Sequence, residues 1–188
     1  MKTILPVSVI ICIALISCNK TGYYSVSDFS TVKKTDAHYH IYSAQNNSME
    51  QAQKDNFELL AINTFSEDCE RVTDVQKQSA ELLANFPADF SFTATFCLDG
   101  WNDSSWVENT ISWLDSCFEQ GAVAVKVWKN IGMEFRDKDS NLVMIDDPKF
   151  DAIFAHLAEK GIPLVGHLGE PKNCWLPLNE MTTKNDSN

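Results

Sequence analysis

Asp36-Ala37-His38-Tyr39-His40 sets two histidines one residue apart at the end of an extended stretch. Side chains on a strand repeat every second residue, so both imidazoles face the same way. A neutral imidazole pair of this kind is the start of a site for a divalent metal, zinc above all. A pair of surface histidines gives the same pattern, so the pair gains meaning only beside further ligands. Lys126 lies near the end of Ala122-Val123-Ala124-Val125-Lys126-Val127-Trp128, a stretch otherwise wholly apolar. An unpaired buried ammonium is costly there, so Lys126 either joins a site or reaches solvent along its flexible stem. His167 closes another apolar stretch, residues 162–167, and beside the first pair it reads as a ligand rather than a hydrogen-bonded core histidine. Glu170 follows three residues on and can orient a metal-held water, touch substrate, or form a loop salt bridge. Trp101, Trp128 and Trp175 sit in strand-end segments, where they either wall a pocket or pack in the core. Lys129 and Lys172 are candidate anion contacts. His156 stands beside Lys160, off the Ile153, Phe154 and Leu157 face of a helix, and reads as a surface residue.

These side chains need elements to deliver them. Residues 32–40 read as a first strand, 49–56 as a short helix and 57–65 as a second strand. Residues 68–86 are helical, with Val72, Val75, Leu82, Leu83 and Phe86 at helical spacing and Pro87 as the stop. Residues 90–98 form a third strand. Asp103 or Ser104 caps the next helix, whose apolar face is Trp106, Ile111, Leu114 and Phe118, and Gly121 ends it. Residues 122–128 are a fourth strand and 129–146 a long polar loop. Asp147-Pro148 starts a helix that runs to Lys160 before Gly161, and 162–167 are a fifth strand.

Strands alternating with helices imply parallel strands joined by crossover helices. Largely apolar strands fit burial on both faces. From His40 to His167, four strand–helix units take about 32 residues each. A barrel of ~250 residues divided by eight gives nearly the same figure. The predicted fold is therefore α/β, a partial (β/α)8 TIM barrel with the first four βα units plus strand five. His38, His40, Lys126 and His167 then fall at the C-terminal ends of strands, the rim where active sites of such barrels lie. By this count on the order of 100 residues would be absent. The chain is thus expected to be a C-terminally truncated fragment, aggregation-prone through its open sheet edges, with a dimerising half-barrel as the alternative.

The motifs on these strands resemble the amidohydrolase superfamily, especially its amidohydrolase-related (type 2) branch. The matching residues are Asp36-Ala37-His38-Tyr39-His40, Val125-Lys126-Val127-Trp128-Lys129-Asn130-Ile131-Gly132-Met133 and Gly166-His167-Leu168-Gly169-Glu170-Pro171. The resemblance covers nearly everything after residue 31. It implies a metal-dependent eight-stranded barrel in which His38 and His40 bind the first metal and His167 binds in the mononuclear or the second site. It implies that Lys126 occupies the position of a lysine that can be carbamylated and bridge two metals, although much of the type 2 branch uses a single metal without that bridge. It implies one or two zinc-type ions, a small-molecule substrate and a role in the site for Lys126; the residues themselves add Glu170 as a catalytic candidate and Trp128, Lys129 and Trp175 near substrate. The reaction implied is attack of a metal-activated water on an amide, ester or lactone; the metal lowers the water's pKa toward ~7 and polarises the carbonyl. A non-oxidative decarboxylase of the same superfamily and a catalytically silent binding lipoprotein are the alternatives. The family's general base, an aspartate of strand eight, and a further histidine of strand six have no counterpart in these residues, so the chain alone is expected to be inactive.

The first 18 residues read apart from the domain. Lys2 precedes an apolar run from Ile4 to Ile16, too short for the ~20 residues that span a bilayer, which makes it a signal peptide. Leu15-Ile16-Ser17-Cys18 resembles a bacterial lipobox, with Cys18 as the lipidation site. The protein is then exported and held on a bacterial membrane, with Asn19 favouring the outer one, and it meets the membrane only through its lipid. Residues 19–31 read as a tether. Cys69, Cys97, Cys117 and Cys174 match no zinc-ribbon spacing. Export permits pairing among them without saying which pair, and Cys97 and Cys117 read as buried free thiols in apolar segments. The net charge of −11 argues against nucleic acid, which needs a basic patch. Arg71 and Arg136 are the only arginines, so no arginine clamp for a carboxylate or phosphate is evident. The oligomeric state is open, and a homo-oligomer of the full-length protein is compatible with this composition.

Overall fold

The computed structural model describes residues 23–41, 47–64, 68–167, 170 and 172–183. The signal, the lipidation position Cys18 and the start of the tether lie outside these residues. Five strands form one sheet, β1 (Lys34–Tyr39), β2 (Phe57–Ala61), β3 (Phe90–Ala94), β4 (Ala124–Lys126) and β5 (Leu164–Val165). All neighbouring strands pair in parallel, in the order β1-β2-β3-β4-β5. The order never reverses, so there is no switch point of the doubly wound kind. With right-handed crossovers, a sequential order puts every connecting helix on the same face. The connections carry α1 (Asn47–Lys54), α2 (Cys69–Asn85), α3 (Trp106–Glu119) and α4 (Asp151–Lys160). The sheet curls as part of a barrel wall does.

The inner strands are apolar because both faces are covered. All of β4 is buried, and Phe92 and Ala94 of β3 are fully buried. At the edge, β1 is polar, and its residues alternate between half-buried and exposed along Lys34–Ala37. Strands are shorter than the sequence predicts, and β5 is only two residues long, which leaves His167 two positions beyond it. Asp68 caps α2 by accepting from the Arg71 N–H at 3.0 Å, and α2 stops just before Phe86-Pro87. The cap of α3 falls at Ser105, not at Asp103 or Ser104. The reason is Trp101, which is 5% exposed: the chain winds through turns at Leu98–Trp101 and Gly100–Asp103 to sink that ring before the helix can start. Trp101 is thus core, packed on Trp106 at 4.7 Å and Phe150 at 5.0 Å between ring centroids. Asp147 and Pro148 open the last helix as predicted, the Asp147 carboxylate accepting from the Lys149 N–H at 2.9 Å, and Gly161 closes it in the left-handed region at φ 66°.

Residues 129–146 are more than a polar loop. They hold a helical turn, Asn130–Met133, and an antiparallel bridge between Arg136 and Leu142. Ile131 and Val143 are buried in the core and pull the segment inward. Asp137 accepts from the N–H groups of Asp139 and Asn141, which shapes the tip. Near the other end of the chain, residues 25–31 carry a 3-10 turn, Val26–Asp28, and Asn56 Nδ2 donates to the Thr31 carbonyl at 2.8 Å.

Cys97 is not a free thiol: it is bonded to Cys69, 28 residues earlier, with Cα atoms 5.2 Å apart. The apolar setting of its strand suggested burial, but Cys97 lies past the end of β3 where the chain meets the N-terminus of α2. Cys117 is a buried free thiol as expected, and Cys174 is free and half-buried. His156 is half-buried and pairs with Asp115 of α3 at 2.7 Å. Among the described residues no helix is long and apolar enough to cross a membrane.

Candidate metal centre

The histidine pair is set by an irregularity in β1. Asp36 pairs with Leu59 and Tyr39 with Ala61, so β1 advances three residues while β2 advances two. One extra residue bends and twists a strand, and such bulges re-aim side chains. The Asp36 carboxylate accepts from the His38 N–H at 3.0 Å and steadies the bend. The outcome is convergence: the Nε2 atoms of His38 and His40 are 3.1 Å apart, with ring centroids at 4.9 Å. For metal–nitrogen bonds of about 2.05 Å, that separation corresponds to a ligand angle near ~100°, close to tetrahedral.

His40 is held from behind. Its Nδ1 lies 3.0 Å from the Ile62 carbonyl, a pure acceptor, so Nδ1 carries the proton and Nε2 presents a lone pair toward His38. Burial pushes the His40 pKa down, the Ile62 carbonyl opposes this, and the charges of His38 and Lys126 lower it further. The neutral form, the one that ligates, is therefore favoured at neutral pH. The next residue, Asn63, is buried; its N–H donates to Thr93 Oγ1 at 3.0 Å and its amide pairs with Ser79 of α2. This polar brace fixes the end of β2 on which His40 leans.

Lys126 is the last residue of β4 and is 2% exposed. Thr95 Oγ1 donates to its carbonyl at 2.9 Å, so the rim is tied across from β3. Among the described residues no carboxylate lies within 4.0 Å of Lys126 Nζ. Nζ faces the Trp128 ring at 5.9 Å, and burial lowers the ammonium pKa. This burial argues against the reading in which Lys126 reaches solvent along its stem.

Trp128 joins the two sides of the rim. It sits 5.8 Å from Lys129 Nζ and meets the His167 ring edge-on at 5.5 Å. His167 Nε2 is 3.8 Å from a Glu170 oxygen, and the other Glu170 oxygen pairs with Lys129 at 2.5 Å. The Lys129 ammonium holds the Glu170 carboxyl below its usual range, while Glu170 raises Lys129. Glu170 is therefore an ionised acceptor that can orient His167 or a water. Trp175 donates from Nε1 to the Glu170 carbonyl at 3.1 Å, but its ring is 64% exposed and lines a separate groove with Met133, Leu176 and Met181. Lys172 is exposed.

The structure brings His38 and His40 together, sets Lys126 close enough to act on His40, and groups Trp128, Lys129, His167 and Glu170. Among the described residues, the one group of three or more His, Cys, Asp or Glu ligand atoms within 4.8 Å of one another is Cys69, Cys97 and Asp99. The histidine pair and His167 do not close to that spacing. The supports that sequence reasoning missed are the Ile62 carbonyl, the Asn63–Ser79 brace and the Thr95 hydroxyl. Only Asn63 left a signal, as an amide in an otherwise apolar strand. No family model matches the chain, and no curated protein matches it.

Proposed function

We propose that this protein is a metal-dependent hydrolase of the amidohydrolase type, acting on an amide, ester or lactone, with His38 and His40 as the first metal ligands. The observation that carries the reading is the 3.1 Å pair of Nε2 atoms with the His40 Nδ1 proton on the Ile62 carbonyl. The donor set fits a zinc-type ion: an imidazole pair at a near-tetrahedral span, with a backbone acceptor fixing the His40 tautomer. A divalent cation bound there would supply Lewis acidity, making a water nucleophilic near neutral pH and polarising the scissile carbonyl.

The chain's own residues supply the rest. Lys126, buried beside His40, adds positive potential toward which a developing oxyanion is drawn, or becomes a ligand once its proton is lost. His167, two residues past β5, would have to move toward the pair to join the donor set, since the three do not stand within 4.8 Å of one another. Glu170, kept ionised by Lys129, accepts a proton or orients a water. Trp128 lies against both Lys126 and His167. The sequential parallel order supports a partial (β/α)8 barrel as the scaffold. The Cys69–Cys97 bond supports an exported protein, since disulfides persist in oxidising compartments.

Calorimetric titration with Zn2+ tests the reading. One site is expected to lose affinity at least about tenfold in His38→Ala and in His40→Ala. Equal Zn2+ affinity in wild type and both variants would overturn it.

A further inference from the structure

The second rim feature lies outside the histidine site. Cys69 is the first residue of α2, and Cys97 lies just past β3, so their bond ties the entrance of one helix to the exit of the neighbouring strand. It forms part of the wall of a cavity of about 290 Å3 lined also by Asp99, Asp103, Trp106 and Trp113. Both sulfurs and the Asp99 carboxylate lie within 4.8 Å of one another. Two further contacts favour the sulfurs as thiolates. Cys69 occupies the N-terminus of a 17-residue helix, where exposed N–H groups and the dipole stabilise negative charge. Cys97 Sγ accepts the Asp99 N–H at 3.5 Å. Asp99 pulls the other way: two thiolates and a carboxylate so close repel one another, unless a cation lies between them.

We propose that Cys69, Cys97 and Asp99 form a redox-gated site for a thiophilic divalent cation of the Zn2+ class, closed by the disulfide and opened by a dithiol reductant. The reductant delivers two electrons and two protons; the Sγ–Sγ bond breaks, the two cysteines become thiols, and the reductant leaves as a disulfide. The cation then displaces both thiol protons to solvent and takes two sulfurs and one carboxylate oxygen. Two sulfurs on a tetrahedral zinc stand about 3.8 Å apart for bonds of about 2.3 Å. With the Cα atoms already at 5.2 Å, side-chain rotation reaches that spacing without moving either element. The cavity has room for a fourth ligand from solution.

Cobalt(II) is the probe, because sulfur ligation gives an intense near-ultraviolet charge-transfer band that histidine ligation does not. The full chain is titrated oxidised and after reduction with a phosphine. The band is expected only in the reduced protein, at about one cobalt per chain, absent in Cys69→Ser and Cys97→Ser. Asp99→Asn, which keeps the disulfide and the fold, is expected to weaken cobalt binding at least about tenfold. The proposal is overturned if reduction produces no band, if the band persists in Cys97→Ser, or if Asp99→Asn binds as tightly as wild type. His38→Ala is expected to leave the band unchanged, which separates this site from the histidine centre.

Discussion

Lys126→Met should stabilise the protein. Methionine keeps the length of the lysine stem, so the buried space at the end of β4 stays filled and no cavity opens. What disappears is an ammonium in a site 2% exposed, with no carboxylate within 4.0 Å among the described residues. The effective penalty for burying an ion in a protein is several kcal/mol. The Trp128 face, 5.9 Å from Nζ, offsets about 1 kcal/mol of it. The net gain is on the order of 2 kcal/mol, which for a chain of this size raises Tm by about 4–8 °C. The sign with pH follows from the lowered pKa. Below the folded-state value the wild type carries the full penalty. As pH rises through that value toward the ordinary lysine value of 10.5, the folded ammonium gives up its proton first and the penalty fades. The advantage of the variant should therefore be largest at neutral pH and shrink under alkaline conditions. Denaturant melts of both proteins at pH 7 and at pH 10 measure this. A variant less stable than wild type at pH 7, or an advantage that grows with pH, would refute the picture of an unpaired buried ammonium.

Two further outcomes follow from titrating groups away from the rim. Burial pushes the Cys117 thiol up to about 12. Alkylation at pH 8 followed by peptide mapping should therefore leave Cys117 unlabelled in the native protein and label it fully in denaturant, whereas half-buried Cys174 should react without unfolding. Asp115 of α3 is clasped by His156 and Lys160 of α4 at 2.7 and 3.1 Å, and the His156 hydrogen bond leads in holding its carboxyl below the ordinary 3.8. A lowered carboxyl stabilises the fold above its unfolded-state pKa and stops doing so as pH falls through the folded one. Asp115→Asn should cost about 0.5 kcal/mol at pH 7, as partly exposed pairs do. The cost should vanish once pH drops below the carboxylate range; urea titrations at the two pH values read it.

The strands and helices were legible because their signals are local. Val72, Val75 and Leu82 recur at helical spacing, and α2 buries all three. A lysine inside Val125-Lys126-Val127 stands out because nothing else in that strand is charged. Other features depend on which distant segments meet. The Cys69–Cys97 bond needs α2 and β3 to adjoin, and four cysteines give no hint of which two will. The cap of α3 moved because Trp101 had to be buried first, a tertiary demand that overrides a local preference. Residues 129–146 looked polar by composition, yet Ile131 and Val143 were enough to draw the segment inward. At the candidate site the histidines could be read from the chain, but the Ile62 carbonyl that orients His40 could not, since every residue has a carbonyl. Glu170 was readable only as an alternative between site and salt bridge, and the salt bridge needs Lys129, 41 residues earlier, to meet it.

The uneven pairing of β1 with β2 makes the histidine geometry a matter of counting. Nothing chemical is special about the surplus residue near Ala37; its presence alone sets the phase of everything after it. Deleting that alanine would leave the charge and both imidazoles in the chain, yet rotate the strand's end by one pleat and turn the pair away from the Ile62 carbonyl. A site of this kind is lost by a three-base deletion more readily than by many substitutions around it, and a single insertion into a regular edge strand is in principle enough to create one.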